Sequence, residues 1–198
     1  MATYQVESSA LVAPNATLSA GVRIWHHAQV REGVTLGENV IIGKGAYIGP
    51  GVTVGSNSKI QNSALIYEPA QIGEGVFIGP GAILTNDRHP RAINPNLTQK
   101  SATDWEPVGV HIATGASIGA GAVVVAPVNL GEWSMIAAGS VVVRDVSAHA
   151  LVAGNPAKQI GWVSKQGVRL IEESKDEFLC PVSKVRYHLH NSVLSEVK

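Results

Sequence analysis

The chain has 198 residues, and 15 lysine and arginine residues balance 15 aspartate and glutamate residues. This balance lacks the basic stripe typical of nucleic-acid or anionic-membrane binding, so we expect neither partner. The single cysteine excludes an internal disulfide and a multi-thiolate zinc site, and it fits a reducing compartment. The N-terminus does not read as a signal peptide and the apolar runs are too short to span a bilayer, which predicts a cytoplasmic protein.

A six-residue repeat dominates the first part of the chain. From Val6 to Leu84, every sixth residue is a branched aliphatic, and from Val12 onward the residue two positions earlier is Ala, Val or Ser. Three positions after many of the large aliphatics stands a turn residue: Gly33, Asn39, Gly45, Gly51, Asn57, Gly75 and Gly81. The same pattern resumes at Ile112 and continues to Val142.

This repeat predicts an all-β fold built from very short strands. Residues i and i−2 of a strand share a face, so each unit directs one large and one small side chain inward. Glycine and asparagine supply the positive-φ turns that let the chain bend. A single unit cannot bury its own inner face, but stacked coils can.

The six-residue period stops at Leu84, and about twenty-two residues are inserted before Ile112. Long irregular excursions from a compact repeat usually carry function, so residues 85–107 predict an active-site loop. Its reactive side chains are Asn86, Asp87, Arg88, His89, Arg91 and Trp105.

The chain after the second run of repeats reads as a different unit. We place the β-helix domain at residues 1–163 and a C-terminal tail at residues 164–198. Residues 168–178 predict a short helix that packs on the open end of the repeat, followed by a hairpin. His188 and His190 form an i, i+2 pair, but a metal-free hairpin is the interpretation we favour, and no metal is expected.

The hexad, together with RIWHHAQV, KIQNSALIYE, LTNDRHPRA, IGAGAVV, IAAGSVV and GNPAKQIGWVSKQG, resembles the hexapeptide-repeat acyltransferases over about residues 5–170. In particular it resembles the acetyl-CoA-dependent N-acetyltransferases of nucleotide-linked (UDP or dTDP) 3-amino sugars for bacterial surface polysaccharides. The resemblance implies a left-handed parallel β-helix with three strands per turn. It also implies a homotrimer with active sites between subunits, and acetyl-CoA and a nucleotide sugar as bound partners.

Three strands per turn arrange the residues in columns at three corners, which follow Ile24, Val30 and Leu36 in the first full coil. The insertion then falls at the second corner. The second-corner column is Glu32, Pro50, Glu68 and Asn86. The first-corner column is His26, Lys44, Asn62, Pro80, Ala120, Ala138 and Pro156.

Three candidate catalytic residues follow for the attack of an amine on a thioester. Asn86 begins the loop, and the resemblance places the matching asparagine beside the sugar amine. His89 is the candidate general base, because imidazole side chains titrate near neutrality. Glu68 is expected one coil beneath Asn86, where it could position either residue or help accept a proton.

The first corner is expected to bind the two substrates. Ala120 and Ala138 are small enough for a pantetheine arm to approach the backbone, as the resemblance also implies. Gly139, Pro156 and Lys158 continue that acetyl-CoA wall. The substrate-binding candidates for the nucleotide sugar are His26, Lys59, Asn62, Arg88 and Arg91.

The tail also resembles a zinc-ribbon end of some relatives, in which cysteines occupy positions such as Ser164, Gln166 and Ser183. Only Cys180 is a cysteine in this chain.

Three alternative functions stay open. An O-acetyltransferase keeps the chemistry and changes the acceptor to a hydroxyl. A γ-type carbonic anhydrase shares the fold but needs three suitably spaced histidines. A non-enzymatic β-helical scaffold needs no loop of reactive residues.

Overall fold

A computed structural model describes residues 3–197, and within that range the secondary structure is entirely β, with no helix. Three parallel sheets wind into a solenoid, because successive strands go to successive sheets and each of the first seventeen strands pairs with the strand three later. We call the sheets A, B and C in the order in which the chain reaches them. The predicted parallel β-helix of hexapeptide repeats is confirmed.

Sheet A contains Gln5–Val6 (β1), Arg23–Ile24 (β4), Ile41–Ile42 (β7), Lys59–Ile60 (β10), Phe77–Ile78 (β13), Ser117–Ile118 (β16), Met135–Ile136 (β19), Ala150–Gly154 (β21) and Ala157–Trp162 (β22). Sheet B contains Leu11–Val12 (β2), Gln29–Val30 (β5), Tyr47–Ile48 (β8), Leu65–Ile66 (β11), Ile83–Leu84 (β14), Val123–Val124 (β17) and Val141–Val142 (β20). Sheet C contains Thr17–Leu18 (β3), Thr35–Leu36 (β6), Thr53–Val54 (β9), Gln71–Ile72 (β12), Val110–Ile112 (β15) and Val128–Leu130 (β18).

The core is a column of large and small side chains that fills the solenoid. Each of the first fourteen strands ends on the large aliphatic of its hexad, and those from Ile24 onward are buried. The seven predicted turn residues all have φ between 59° and 68°. His27, Ser63 and Trp133 occupy the equivalent turn position with φ of 56–59°, so the coil imposes this conformation on other residue types too.

The columns follow the predicted register as far as Val142. Ile60 pairs with Ile78 eighteen residues later, and across the insertion Ile72 pairs with Ile112. The last coil is shorter, because Leu130 bridges to Val146 and Ile136 pairs with Val152, sixteen residues on. The step from Val142 to Val146 is four residues in place of six, so the hexad loses two residues at this turn.

The tail differs from its prediction. Ile171–Ser174 (β23), Glu177–Leu179 (β24), Arg186–His190 (β25) and Val193–Glu196 (β26) form a four-stranded antiparallel sheet. The helix predicted over residues 168–178 is wrong, because the chain reverses at Asp176, whose φ of 62° ends any helical run. The hairpin is confirmed, and the division at residue 163 stays a prediction.

The tail sheet has a small core of its own around Phe178, Cys180 and Tyr187. Trp162, at the end of β22, packs against both this cluster and the core of the solenoid.

Across residues 3–197 there is no helix long and apolar enough to cross a membrane.

Candidate active site

The loop leaves and rejoins the solenoid at one point of the second corner, between sheets B and C. The backbone N–H of Val108 donates to the carbonyl oxygen of Asn86 at 3.0 Å, which closes the neck of the loop. Next to it, the N–H of Ala126 donates to Thr85 Oγ1 at 3.0 Å. The backbone of Asn86 is therefore held against the solenoid, while the residues after it extend outward.

A close backbone contact fixes the returning strand of the loop. Gly109 lies against Pro69, and a Cβ added at Gly109 would come within 2.7 Å of the Pro69 carbonyl oxygen. Real Cβ atoms do not approach a backbone oxygen this closely, so the neck requires glycine at this position.

The loop encloses a polar cavity of about 360 Å³. Asp87 Oδ1 accepts a 2.7 Å hydrogen bond from the backbone N–H of His89, which turns the chain at the cavity rim. His89 is exposed, as are Arg88 and Arg91, and the Arg91 guanidinium donates to the Pro90 carbonyl at 2.9 Å. The lining residues are Asp87, Arg88, His89, Lys100, Asp104, Trp105, Glu106 and Val108.

Glu68 lies one coil beneath Asn86, because Ile66 pairs with Leu84. Its carboxylate lies over Gly49, on the side that faces the coil below, and a side chain at Gly49 would overlap it. Glu68 Oε2 is buried and has no hydrogen-bond partner among residues 3–197. A buried carboxylate oxygen without a donor is costly for a free protein, and such groups commonly mark functional sites.

Three residues were absent from the predicted site: Tyr67 precedes Glu68 in the chain, Tyr47 lies in the coil below, and Arg31 contacts Tyr47. The Arg31 guanidinium donates to the Tyr47 hydroxyl at 3.4 Å, and the two tyrosine rings lie 5.4 Å apart. Burial, and second the charge of Glu68, raises the pKa of Tyr47, so its hydroxyl stays protonated. The sequence could have indicated these three residues as a group, because their outward-facing side chains occupy consecutive coils of one sheet.

The lower first corner places its predicted residues on the surface. Asn62 Oδ1 accepts from the backbone N–H of Lys44 at 2.9 Å, so this amide links two coils. His26 is exposed and its Nε2 lies 3.5 Å from a carboxylate oxygen of Glu7. Lys59 is exposed on sheet A.

Ala120, Ala138 and Gly139 form a wall of small residues at the upper first corner. The N–H of Gly139 donates to the carbonyl of Ala120 at 2.9 Å, so these residues stack directly. The prediction that Pro156 continues this column is wrong. Gly154 takes the position instead, because the last coil is two residues short, and Pro156 lies in the turn between β21 and β22.

Lys158 is exposed on β22, close to the end of the same wall. The first corner precedes each strand of sheet B and the second corner follows it. One chain therefore carries the two groups of predicted residues at opposite ends of these strands. The structure therefore does not bring Asn86 and His89 together with Ala120 and Ala138 at one corner.

A groove of about 680 Å³ lies on sheet C, away from the loop cavity and the first corner. Exposed polar residues such as Gln71, His111 and Asn129 line it. It contains none of the predicted site residues, and its size alone assigns it no chemistry.

Among residues 3–197 there is no group of three or more His, Cys, Asp or Glu side chains placed to hold a metal ion.

Two families of known sequences match the repeat. The family described as "Bacterial transferase hexapeptide (six repeats)" matches residues 15–50, 33–68 and 51–86. The family described as "Hexapeptide repeat of succinyl-transferase" matches residues 109–144. Together they cover more than half of the chain on both sides of the loop, and the chain belongs to the hexapeptide-repeat acyltransferase family.

Curated relatives match parts of the chain. Serine acetyltransferase 4 of Arabidopsis thaliana is 44% identical over 69 residues, which is 35% of this chain and 19% of that protein. The dTDP-3-amino-3,6-dideoxy-alpha-D-galactopyranose 3-N-acetyltransferase of Aneurinibacillus thermoaerophilus is 38% identical over 86 residues, which is 43% of this chain and 44% of that protein. The chain thus spans less than half the length of either relative.

Solved structures share the fold. A mutant of GDP-perosamine N-acetyl transferase from Caulobacter crescentus, in complex with CoA and GDP-perosamine, superposes with a TM-score of 0.56 at 24% identity. That match covers 81% of this chain and 57% of the other. A hexapeptide-repeat acetyltransferase from Vibrio cholerae, complexed with acetyl coenzyme A, gives 0.56 and 24% over 67% of this chain and 72% of the other.

Proposed function

We propose that this protein is an acetyl-CoA-dependent N-acetyltransferase that acetylates the 3-amino group of a nucleotide-linked 3-amino-3-deoxy sugar. The observation that carries the proposal is the loop, which departs at Asn86 from a rigid wall and encloses a polar cavity beside it. The family membership and the 38%-identical 3-N-acetyltransferase support it. The relatives' complexes with CoA and an amino-sugar nucleotide make these two compounds the first ligands to test.

In this proposal Asn86 orients the amine, because its backbone is fixed at the neck and its side-chain amide can both donate and accept. The nitrogen–carbon bond to the acetyl group forms and the carbon–sulfur bond breaks. His89, exposed at the cavity rim, takes the proton that the amine loses and passes it to the departing sulfur, so that CoA leaves as the free thiol. Glu68, in the coil below Asn86 with its carboxylate over Gly49, helps to position the acceptor sugar.

The acetyl-CoA wall is proposed at the first corner. Ala120 and Ala138 are small and their coils stack closely, so an extended chain can approach the backbone there. Lys158 offers a cation at the end of the wall, suitable for a phosphate group. This wall and Asn86 lie at opposite ends of the strands of sheet B. We therefore propose a homotrimer in which the second corner of one subunit faces the first corner of the next.

The test follows CoA release from acetyl-CoA with a panel of acceptors. The panel contains UDP- and dTDP-linked 3-amino sugars, a 4-amino sugar nucleotide, serine and a galactoside. Turnover confined to a 3-amino sugar nucleotide is the expected result, and it would also identify the nucleotide. Turnover on a hydroxyl acceptor would replace the proposal by O-acetylation, and absence of both turnover and acetyl-CoA binding would refute it.

The His89→Ala variant separates the two acetyl-transfer mechanisms. An amine is a good nucleophile once it is neutral, so the variant should retain activity on the amino sugar, reduced by about 100-fold. A hydroxyl needs a base throughout the attack, so complete loss of activity in this variant would favour the O-acetyltransferase.

A further inference from the structure

A strip of side chains descends from Asn86 along the outer surface of sheet B and its second corner. Tyr67 lies in the coil beneath Asn86, Tyr47 lies one coil lower, and Arg31 begins the turn of the coil beneath that. Since parallel strands are spaced by about 4.8 Å, the three coil steps from Arg31 to Asn86 span roughly 14 Å. None of these three residues takes part in the mechanism above.

The strip offers hydrogen-bond donors that the protein does not use. Arg31 directs Nε and Nη2 at the Glu32 carboxylate at 2.9 and 3.3 Å and Nη1 at Tyr47, which leaves two of its five N–H groups free. The Tyr47 hydroxyl accepts from Arg31 and keeps its own proton. Within the described range, neither tyrosine hydroxyl donates to a protein acceptor.

Stability does not account for this arrangement. The side chains of Arg31 and Glu32 are 36% and 54% exposed, and exposed ion pairs contribute little to folding. Yet the guanidinium is oriented by three contacts to two neighbours, and an oriented guanidinium is well suited to bind a phosphate or carboxylate group through paired hydrogen bonds.

We propose that Arg31, Tyr47 and Tyr67 bind an anionic group of the acceptor, either the diphosphate of the nucleotide sugar or a carboxylate on its sugar. This inference rests on the proposed function. The amine then lies at Asn86, and the rest of the acceptor runs down the strip toward Arg31. Tyr67 and Tyr47 contact the acceptor between these two ends, where their ring faces and hydroxyl donors suit a sugar ring with its hydroxyl groups.

The test compares Arg31→Ala and Arg31→Lys with Arg23→Ala, a control that removes an exposed arginine from sheet A, away from the strip. Arg31→Ala should raise the KM for the nucleotide sugar by about 10- to 100-fold, as expected for loss of hydrogen bonds from a charged donor to an anion. Its kcat, its KM for acetyl-CoA and its melting temperature should stay close to wild type. Arg31→Lys should recover part of the loss, and Arg23→Ala should change none of these values.

Direct binding separates this inference from the proposed function. Calorimetry with UDP and dTDP alone measures anion binding whether or not the protein turns over any amino sugar. If Arg31 contacts the diphosphate, Arg31→Ala weakens the binding of these nucleotides and of every nucleotide sugar. If it contacts a sugar carboxylate, the variant weakens only the binding of a nucleotide-linked uronate.

An unchanged KM and unchanged nucleotide affinities in Arg31→Ala would overturn the inference even if the wild-type enzyme acetylates a 3-amino sugar. Conversely, a wild-type protein without turnover, whose affinity for nucleotides or a nucleotide-linked uronate falls on removal of Arg31, would refute the proposed function and leave the anion site standing.

Discussion

Two buried serines occupy the same inner position of the coil but differ in their hydrogen bonding. Ser58 Oγ donates to the carbonyl of Gly73 and accepts from the N–H of Val76, both at 3.0 Å. Ser134 Oγ is equally buried and has no partner among residues 3–197. The first hydroxyl therefore links two coils, while the second is a buried polar group without compensation.

We predict opposite effects of the same substitution at these two sites. Ser134→Ala should raise the free energy of unfolding by about 1 kcal/mol, because it removes an unpaired polar atom. Ser58→Ala should lower it by about 1–3 kcal/mol, because it leaves two buried backbone groups with one partner fewer. Urea denaturation measures both, and destabilisation by both variants would contradict the prediction for Ser134.

At the scale of single residues, the sequence predicted which side chains face inward but not where the outward ones point. The hexad sets the inner positions because each strand has only one buried face. The direction of the Glu68 carboxylate depends on the space over Gly49, nineteen residues earlier in the chain. The contact between Arg31 and Tyr47 likewise depends on coil stacking, so the predicted site omitted both residues.

At the scale of elements, the loop depends on its neck. We predict that Gly109→Ala will displace the returning strand, because the added Cβ meets the rigid backbone of Pro69 at 2.7 Å. Activity should fall at least tenfold, and the free energy of unfolding should fall by about 1–3 kcal/mol. Steady-state kinetics and urea denaturation provide the measurements.

Gly161→Ala is the matched control for this variant. The nearest atom to a Cβ at Gly161 belongs to the flexible end of Arg169, at 3.2 Å, so the neighbour can move aside. The control should retain activity and stability. Full activity in Gly109→Ala would show that the neck is not required for the site.

The strands were predictable and the final elements were not. Fourteen consecutive strands follow a strict period, whereas the last coil omits two residues between Val142 and Val146 and shifts the column from Pro156 to Gly154. The charged stretch around Asp176 has a composition that favours a helix. In the structure this stretch forms the turn between β23 and β24, and the pairing of these two strands determines its conformation.

At the scale of the whole molecule, a buried histidine joins the solenoid to the tail. His149 Nδ1 lies 2.9 Å from the carbonyl oxygen of Val163 and therefore donates to it, and its ring packs on the edge of Tyr187. Burial lowers the pKa of His149 in spite of this hydrogen bond. The six other histidines are exposed.

We predict that stability falls as the pH drops below about 6.5, the usual pKa of histidine in an unfolded chain. Below this pH the unfolded chain binds a proton that folded His149 does not, and the loss ends once the pH passes below the folded pKa. The slope from this one group should stay below about 1.4 kcal/mol per pH unit, which is the limit for one proton. Urea denaturation between pH 7.5 and 5.5 tests it.

His149→Asn is the control, because asparagine tolerates the φ of 60° at this position and does not titrate. The variant should be less stable at every pH but lack the slope. A slope that persists in the variant would assign the pH dependence to other groups.

The proposed trimer makes a separate prediction about shared sites. Asn86→Ala and Ala138→Trp should each inactivate the enzyme, the first at the second corner and the second at the first corner. Mixed trimers should regain about a quarter of wild-type activity, because random assortment leaves that fraction of interfaces with both halves intact. Co-refolding of the two variants measures this, and the absence of any recovery would place both corners of each site in one chain.

The antiparallel strand β22 has a consequence for self-association. A stack of parallel coils ends in an unpaired strand edge, and such edges template the addition of further chains. On sheet A, β22 pairs with β21 in the reverse direction, with a register irregularity between Leu151 and Val152. A second copy that arrives at this edge meets an antiparallel strand in place of another parallel coil, so the parallel repeat does not continue there from one copy to the next.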